Sequence, residues 1–200
     1  LIRSIDDPKA LSFLPLSHIF ERVVVNAYVY KNIPIYYAES IDTIGDDMRE
    51  VKPIAFSAVP RLIEKVYEKI VAKGNELSGM KKKLFFWALN LVKDYEPYKD
   101  YGPIYNMKLA IARKLIFSKW KEAMGGRVEM ILSGSAKLSP KYMHIFWGAG
   151  IPIFEAYGMT ETSPGITANR NAPGEIRIGT LGQPITNIKV KIEQEPGYPE

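Results

Sequence analysis

The chain has 200 residues, 46% hydrophobic and 12% aromatic, enough to bury the core of one large domain or two small ones. It has no cysteine, which excludes disulfides, zinc–thiolate centres and thiol nucleophiles and fits a reducing compartment. The net charge of +5 is uneven: between Lys73 and Arg127, twelve Lys/Arg stand against five Asp/Glu. Such an excess suits a phosphate-bearing ligand, a membrane surface or nucleic acid, or is a solvated helical face. The chain opens on Leu1-Ile2-Arg3-Ser4 and stops at Tyr198-Pro199-Glu200. No signal peptide is expected, and no apolar run comes near the roughly 18–20 residues that span a bilayer. It reads as a segment of a larger cytoplasmic protein.

In chain order, Val23-Val24-Val25 is ambiguous between helix and strand. Four short apolar runs then read as buried strands: 33–38, 54–57, 128–132 and 151–154. Between the second and third, Pro60 to Val71 places Leu62, Ile63, Val66, Tyr67, Ile70 and Val71 on one helical face, with Pro60 in the first turn. Residues 80–122 are helical in composition and rich in Lys, Phe, Trp and Tyr, with a break from Asp94 to Pro103. A further helix follows Ser139-Pro140 and ends at Gly148 or Gly150. After Gly165 the glycines and prolines punctuate alternating stretches such as Ile188-Lys189-Val190-Lys191-Ile192, which read as antiparallel hairpins. Strands alternating with helices predict an α/β fold, a mostly parallel sheet flanked by helices, with the start of a small antiparallel β region at the C-terminal end. The expected organisation is an α/β subdomain over residues 1–170 with a basic, aromatic helical insertion at 73–125. Residues 171–200 are expected to begin a β-barrel-like part.

Chemistry concentrates in Glu155-Ala156-Tyr157-Gly158-Met159-Thr160-Glu161-Thr162-Ser163-Pro164, directly after the strand 151–154. In a parallel sheet, ligands sit beyond the carboxyl ends of the strands. Tyr157 offers a flat ring for a base, Gly158 lets the backbone approach closely, and Thr160 offers a hydroxyl to a phosphate oxygen. Glu161 offers one carboxylate to Mg²⁺, which fills its remaining positions with water and phosphate. The same residues would also make an ordinary polar turn with an exposed acid.

Tyr157-Gly158-x-Thr160-Glu161 resembles the signature of the adenylate-forming superfamily, which includes acyl-CoA synthetases, peptide adenylation domains and firefly luciferase. Three further segments match in the same order: Leu14-Pro15-Leu16-Ser17-His18, Val59-Pro60-Arg61, and Ser133-Gly134-Ser135-Ala136-Lys137-Leu138-Ser139-Pro140. Gly182-Gln183-Pro184 resembles the stretch that follows. The insertion and the wording Leu14-Pro15-Leu16-Ser17-His18-Ile19-Phe20-Glu21-Arg22 look like the long-chain fatty-acid–CoA ligases.

The resemblance implies an enzyme that joins a fatty acid to ATP as an acyl-adenylate and passes the acyl group to coenzyme A, with Mg²⁺ and without nucleic acid. By that resemblance Gly134, Ser135 and Ala136 lie against the nucleotide. Glu155 and Ala156 border the adenine, Tyr157 stacks on it, and Gly158 and Met159 complete the strip. Thr160 contacts the phosphates and Glu161 holds Mg²⁺. His18 either borders the place where carboxylate and thiol meet or is a structural histidine at a helix start capped by Ser17. Arg22 stands where some relatives carry a gating tryptophan, so no gate is assigned. His144 is expected to pack. The phosphate loop is expected before Leu1, and the ribose-binding aspartate and C-terminal domain after Glu200, so the isolated chain is expected to be inactive. A further expectation is peripheral membrane contact through 80–122, on the local charge and Phe85, Phe86, Trp87, Phe117 and Trp120.

Overall fold

The computed structural model describes residues 6–193. Their strands are β1 (Ala10–Ser12), β2 (Ile35–Tyr37), β3 (Ala55–Ala58), β4 (Met130–Ser133), β5 (Ile153–Gly158), β6 (Gly165–Ala168) and β7 (Gln183–Pro184). They form one sheet in the order β2-β1-β3-β4-β5-β6-β7. Neighbours from β2 to β5 are parallel, and β6 and β7 add an antiparallel edge. The helices are α1 (Ile19–Tyr30), α2 (Ile44–Val51), α3 (Pro60–Glu76), α4 (Gly79–Val92), α5 (Gly102–Ala112), α6 (Ser118–Ala123) and α7 (Pro140–Ala149). The fold is α/β with a mostly parallel sheet.

Alternate residues of the strands send side chains to opposite faces. On one face Ala10 and Ala55 pack with Val24, Tyr28, Ile33 and Ile54, so α1 covers this side. On the other, Leu11, Phe56 and Ile131 join a larger core built on α2, α3, α4, α5 and α7. Within α7, Met143, Ile145, Phe146, Trp147, Gly148 and Ala149 are all buried, and Gly150 ends the helix at φ +80°. The valine run 23–25 lies inside α1, with Val24 turned inward.

Three expectations change. Strand β1 went unread because Ala10-Leu11-Ser12 holds no β-branched or aromatic residue to mark it. The run 188–192 forms no strand: β7 is only two residues long, and no further strand is present to pair with that run among the described residues. Ser17 does not cap α1; His18 holds the N-cap position, without a side-chain cap bond.

The helical insertion belongs to the core. Phe85, Phe117 and Trp120 are buried, and Phe86 and Trp87 pack against the same cluster. The aromatic motive for membrane contact therefore falls. Arg113 sits in a π-helical turn, Arg113–Phe117, that joins α5 to α6. Its Nε donates to the Gly148 carbonyl at 2.9 Å and its Nη2 to that of Trp147 at 3.3 Å, satisfying acceptors at the C-terminal end of α7.

Gly74 lies inside α3 because α4 crosses there. A Cβ on Gly74 would fall 2.1 Å from Phe85 Cε1. Alanine would gain about 1 kcal/mol of helix propensity. It would also overpack a buried ring, typically a loss of about 1–3 kcal/mol. Gly74→Ala is therefore expected to lower the urea midpoint; a raised midpoint would show that the α3–α4 contact yields freely.

Glu21 is fully buried on α1, a fate a carboxylate accepts only with partners. Ser12 Oγ donates to its Oε1 at 2.5 Å, and Ser57 Oγ donates to Oε2. The pair ties α1 to the carboxyl ends of β1 and β3. Burial raises the Glu21 carboxyl above its ordinary 4.5, opposed by the two serine hydrogen bonds. An acid whose folded pKa is raised contributes stability that is present below its unfolded pKa and is lost as pH rises through the folded value. Stability relative to Glu21→Gln should therefore fall as pH rises from 4.5 towards neutrality. A difference independent of pH, read by urea titration, would contradict the burial effect.

Candidate functional site

The pairing of β5 shifts along its length. Ile153 to Glu155 pair with β4, and Ala156 to Gly158 pair with β6. Past Ser133 the chain leaves the sheet in the turn 134–138, so the β4 side of Ala156-Tyr157-Gly158 is left open. The resulting space divides in two. One cavity, of about 220 Å³, is lined by His18, Ile19, Phe20, Gly134, Ser135, Ala156, Tyr157, Gly158, Met159, Thr160, Pro164 and Gly165. The other, of about 520 Å³, is lined by Ser135, Ala136, Lys137, Glu155, Ala156, Tyr157, Gly158, Gly179, Thr180 and Leu181. Ser135 and Ala156-Tyr157-Gly158 border both.

Gly158 permits this shape. A Cβ there would fall 1.6 Å from the Pro164 carbonyl oxygen. Met159 N–H donates to that oxygen at 3.0 Å, closing a tight loop. Thr162 Oγ1 accepts from Met159 N–H at 3.0 Å, which fixes the single 3₁₀ turn Thr160–Thr162. The loop leaves Tyr157, Met159, Thr160 and Glu161 exposed.

The walls of the larger cavity hang on Glu155. Its Oε1 accepts from Leu138 N–H at 2.9 Å. Its carbonyl accepts from Asn169 N–H at 2.9 Å. Burial raises the Glu155 carboxyl above its ordinary range, against the lowering effects of the Leu138 amide and of Lys137. Asn169, itself buried, donates through Nδ2 to the Thr180 carbonyl at 2.9 Å and accepts at Oδ1 from Arg177 N–H at 3.4 Å. It thereby holds the loop 177–182 against β6. At the end of that loop Gly182 has φ +78°, and a Cβ there would strike the Ala168 backbone at 2.0 Å. The hydroxyls of Ser133 and Thr167, strand partners of Glu155 and Tyr157, are buried without a hydrogen-bond partner.

Ten of the expected site residues line one or both cavities: His18, Gly134, Ser135, Ala136, Glu155, Ala156, Tyr157, Gly158, Met159 and Thr160. Glu161 lines neither but directly follows Thr160, with no side-chain partner among the described residues. No group of three or more His, Asp or Glu that could hold a metal occurs there. A single free carboxylate fits an ion held mainly by water and phosphate, and does not fit a protein cage. Glu155 has one oxygen committed to Leu138, so at most the other is free for a base. His144 packs as expected, with Nδ1 2.8 Å from the Tyr95 carbonyl. Arg22 Nε donates to the Leu16 carbonyl at 3.2 Å. Sequence reasoning missed Phe20, Lys137, Asn169 and the loop 179–181. Phe20 had a signal, two residues after His18; Asn169 had none.

Residues 2–199 match the family described as AMP-binding enzyme. The chain belongs to this family, within the adenylate-forming ligases. It is 32% identical over 215 residues to long chain acyl-CoA synthetase 3 of Arabidopsis thaliana, covering 99% of this chain and 30% of that protein. It is 34% identical over 185 residues to long-chain-fatty-acid–CoA ligase 5 of Rattus norvegicus, covering 92% of this chain and 26% of that one. The chain thus spans less than a third of either relative. Among solved structures it is similar to o-succinylbenzoate CoA synthetase of Bacillus subtilis in complex with its acyl-adenylate intermediate. The TM-score is 0.60 at 16% identity, over 97% of this chain and 30% of that one. The adenylation domain of a Mycobacterium chelonae carboxylate reductase gives a TM-score of 0.53 at 23% identity, over 81% and 22%. At these identities the likeness is one of fold.

Asn169→Ala in the full-length protein should leave the Thr180 carbonyl and Arg177 amide without this partner, a loss of about 1–3 kcal/mol. The urea midpoint should fall accordingly. An unchanged midpoint would show that the loop 177–182 holds its place without Asn169.

Proposed function

We propose that the chain is part of a long-chain fatty-acid–CoA ligase, and that its two cavities hold the two halves of an acyl-adenylate. The observation that carries this reading is the division of one continuous site by the Tyr157-Gly158 strip, with the wider space on the Lys137 side and the narrower on the His18 side. The adenine lies in the wider cavity, between the turn 134–136 and the exposed Tyr157 ring. The fatty-acid carboxylate enters the narrower one, past Ile19 and Phe20. The long-chain assignment rests on the similarity to long-chain acyl-CoA synthetases and ligases at about the 30% level.

In the first step a carboxylate oxygen bonds to the α-phosphorus of ATP, the bond to the bridging oxygen breaks, and pyrophosphate leaves. In the second the thiol of coenzyme A attacks the acyl carbon and AMP leaves. Orientation is the contribution of this chain: bound halves meeting at Ala156-Tyr157-Gly158 convert an encounter of anions into a local reaction. Thr160 Oγ1 donates to a phosphate oxygen as charge develops. His18, at the N-cap of α1, faces the place where the carboxylate lies. Glu161 is the residue that would hold Mg²⁺, whose charge offsets that of the phosphates when bound.

The full-length protein tests this directly. Palmitate should support AMP release and formation of a coenzyme A thioester, whereas acetate should not; equal rates with both would remove the long-chain assignment. Glu161→Gln should lower the adenylation rate about a hundredfold while changing ATP affinity much less, because the lost interaction is felt mainly in the transition state. Pyrophosphate exchange at saturating ATP and Mg²⁺ reads this. A rate equal to the wild type would remove Glu161 from the metal site.

A further inference from the structure

An oxidant meets only one kind of sulfur in this chain, which has seven methionines and no cysteine. The fold sorts the seven. Met48, Met124 and Met143 are buried in the core, and Met130 packs against it. Met80, on α4, and Met107, on α5, are exposed but line neither cavity. Of the seven, Met159 alone is both exposed, at 45%, and part of a cavity wall. Its backbone is held in place: the N–H donates to the Pro164 carbonyl and to Thr162 Oγ1, each at 3.0 Å. A chemical change in the Met159 side chain is therefore not relieved by the loop moving aside, and it falls on the narrower cavity.

We propose that Met159 is a reversible oxidation site, and that its sulfoxide closes the narrower cavity to a carboxylate. The second half of this rests on the reading of that cavity as the acyl side. In the forward step the thioether sulfur attacks one oxygen of hydrogen peroxide. A sulfur–oxygen bond forms and the oxygen–oxygen bond breaks. The transferred oxygen passes its proton to the departing hydroxide, which leaves as water. Sulfur loses two electrons and the peroxide gains them. A thiol-dependent methionine sulfoxide reductase reverses the step: two thiols become a disulfide, and the oxygen leaves as water. The change is one of polarity more than of size. A polarizable thioether, which adapts to apolar neighbours, becomes a polar group with a negatively polarised oxygen. Beside a bound carboxylate that oxygen sets negative charge against negative charge.

The test treats the full-length protein with hydrogen peroxide and reads sulfoxide at each methionine by peptide mass spectrometry. Met159, Met80 and Met107 should take up oxygen before the buried methionines do. The KM for the carboxylate substrate should then rise about fivefold or more, with that for ATP changing less. Methionine sulfoxide reductases A and B together, one for each epimer, should restore it. Met159→Leu nearly keeps the side-chain volume without the sulfur. Whatever its starting KM, that value should be unmoved by peroxide. Met80→Leu with Met107→Leu should respond as the wild type does, since neither residue lines a cavity. The proposal is overturned if Met159 stays unmodified while Met80 and Met107 oxidise, or if its sulfoxide leaves the carboxylate KM unchanged. It is also overturned if peroxide shifts the KM of Met159→Leu as it does that of the wild type. The kinetics use whichever of palmitate and acetate the enzyme turns over, so failure of the long-chain reading leaves this test intact. The sulfoxide itself is read by mass, without turnover.

Discussion

A single buried carboxylate joins the parts that make the site. Glu155 is the last residue of β5 paired with β4, and its backbone and side chain bind in opposite directions. The side chain holds the turn 134–138 through the Leu138 amide, and the carbonyl holds Asn169, which in turn holds the loop 177–180. Both walls of the larger cavity thus hang from one residue. The desolvation that raises its pKa is offset by a backbone amide and by Lys137, so removing either partner would leave a buried acid under-satisfied.

The Glu21 carboxyl plays a comparable part on the other side. It fastens α1 to β1 and β3 through Ser12 and Ser57, which fixes where His18 and Phe20 meet the cavity. Phe20 in turn lies over Gly134: a Cβ there would fall 2.8 Å from the Phe20 ring. The smaller cavity is therefore framed by one helix start held by a buried acid and one turn kept bare of a side chain.

What was legible in the sequence followed from local rules. Pro60 and Pro140 open α3 and α7 at the first helical position, and Gly150 closes α7, because those backbone geometries suit those residues. The strip 155–160 could be marked because a glycine and polar residues follow directly on a buried strand. What stayed hidden depends on distant partners. Strand β1 is three residues long, and only its neighbours β2 and β3 make it a strand. The helical pattern reads only as far as Val71, yet α3 runs on to Glu76 through Gly74, a crossing point for Phe85. Phe85, Phe117 and Trp120 read as a surface signal from composition, while packing against α7 turns them inward. Ile188 to Ile192 alternates as a strand does, but alternation without a partner leaves the ladder groups unpaired.

The charge balance of the site bears on how the chemistry is shared. Adenylation brings a carboxylate to a polyphosphate, and the transition state spreads further negative charge over the phosphate oxygens. Of the residues lining the two cavities, Lys137 carries the one fixed positive charge, against the carboxyl of Glu155. The remaining donors are the His18 imidazole, hydroxyls and backbone amides, which orient anions and contribute little net charge. These residues therefore build a shaped, nearly neutral cradle. In the proposed reaction the main neutralisation comes from groups brought to the cradle, with Glu161 placed at its rim to receive one of them. Under that proposal a cradle of this kind would bind a nucleotide mainly by shape and stacking, so Tyr157 and Gly158 should govern affinity and Glu161 turnover.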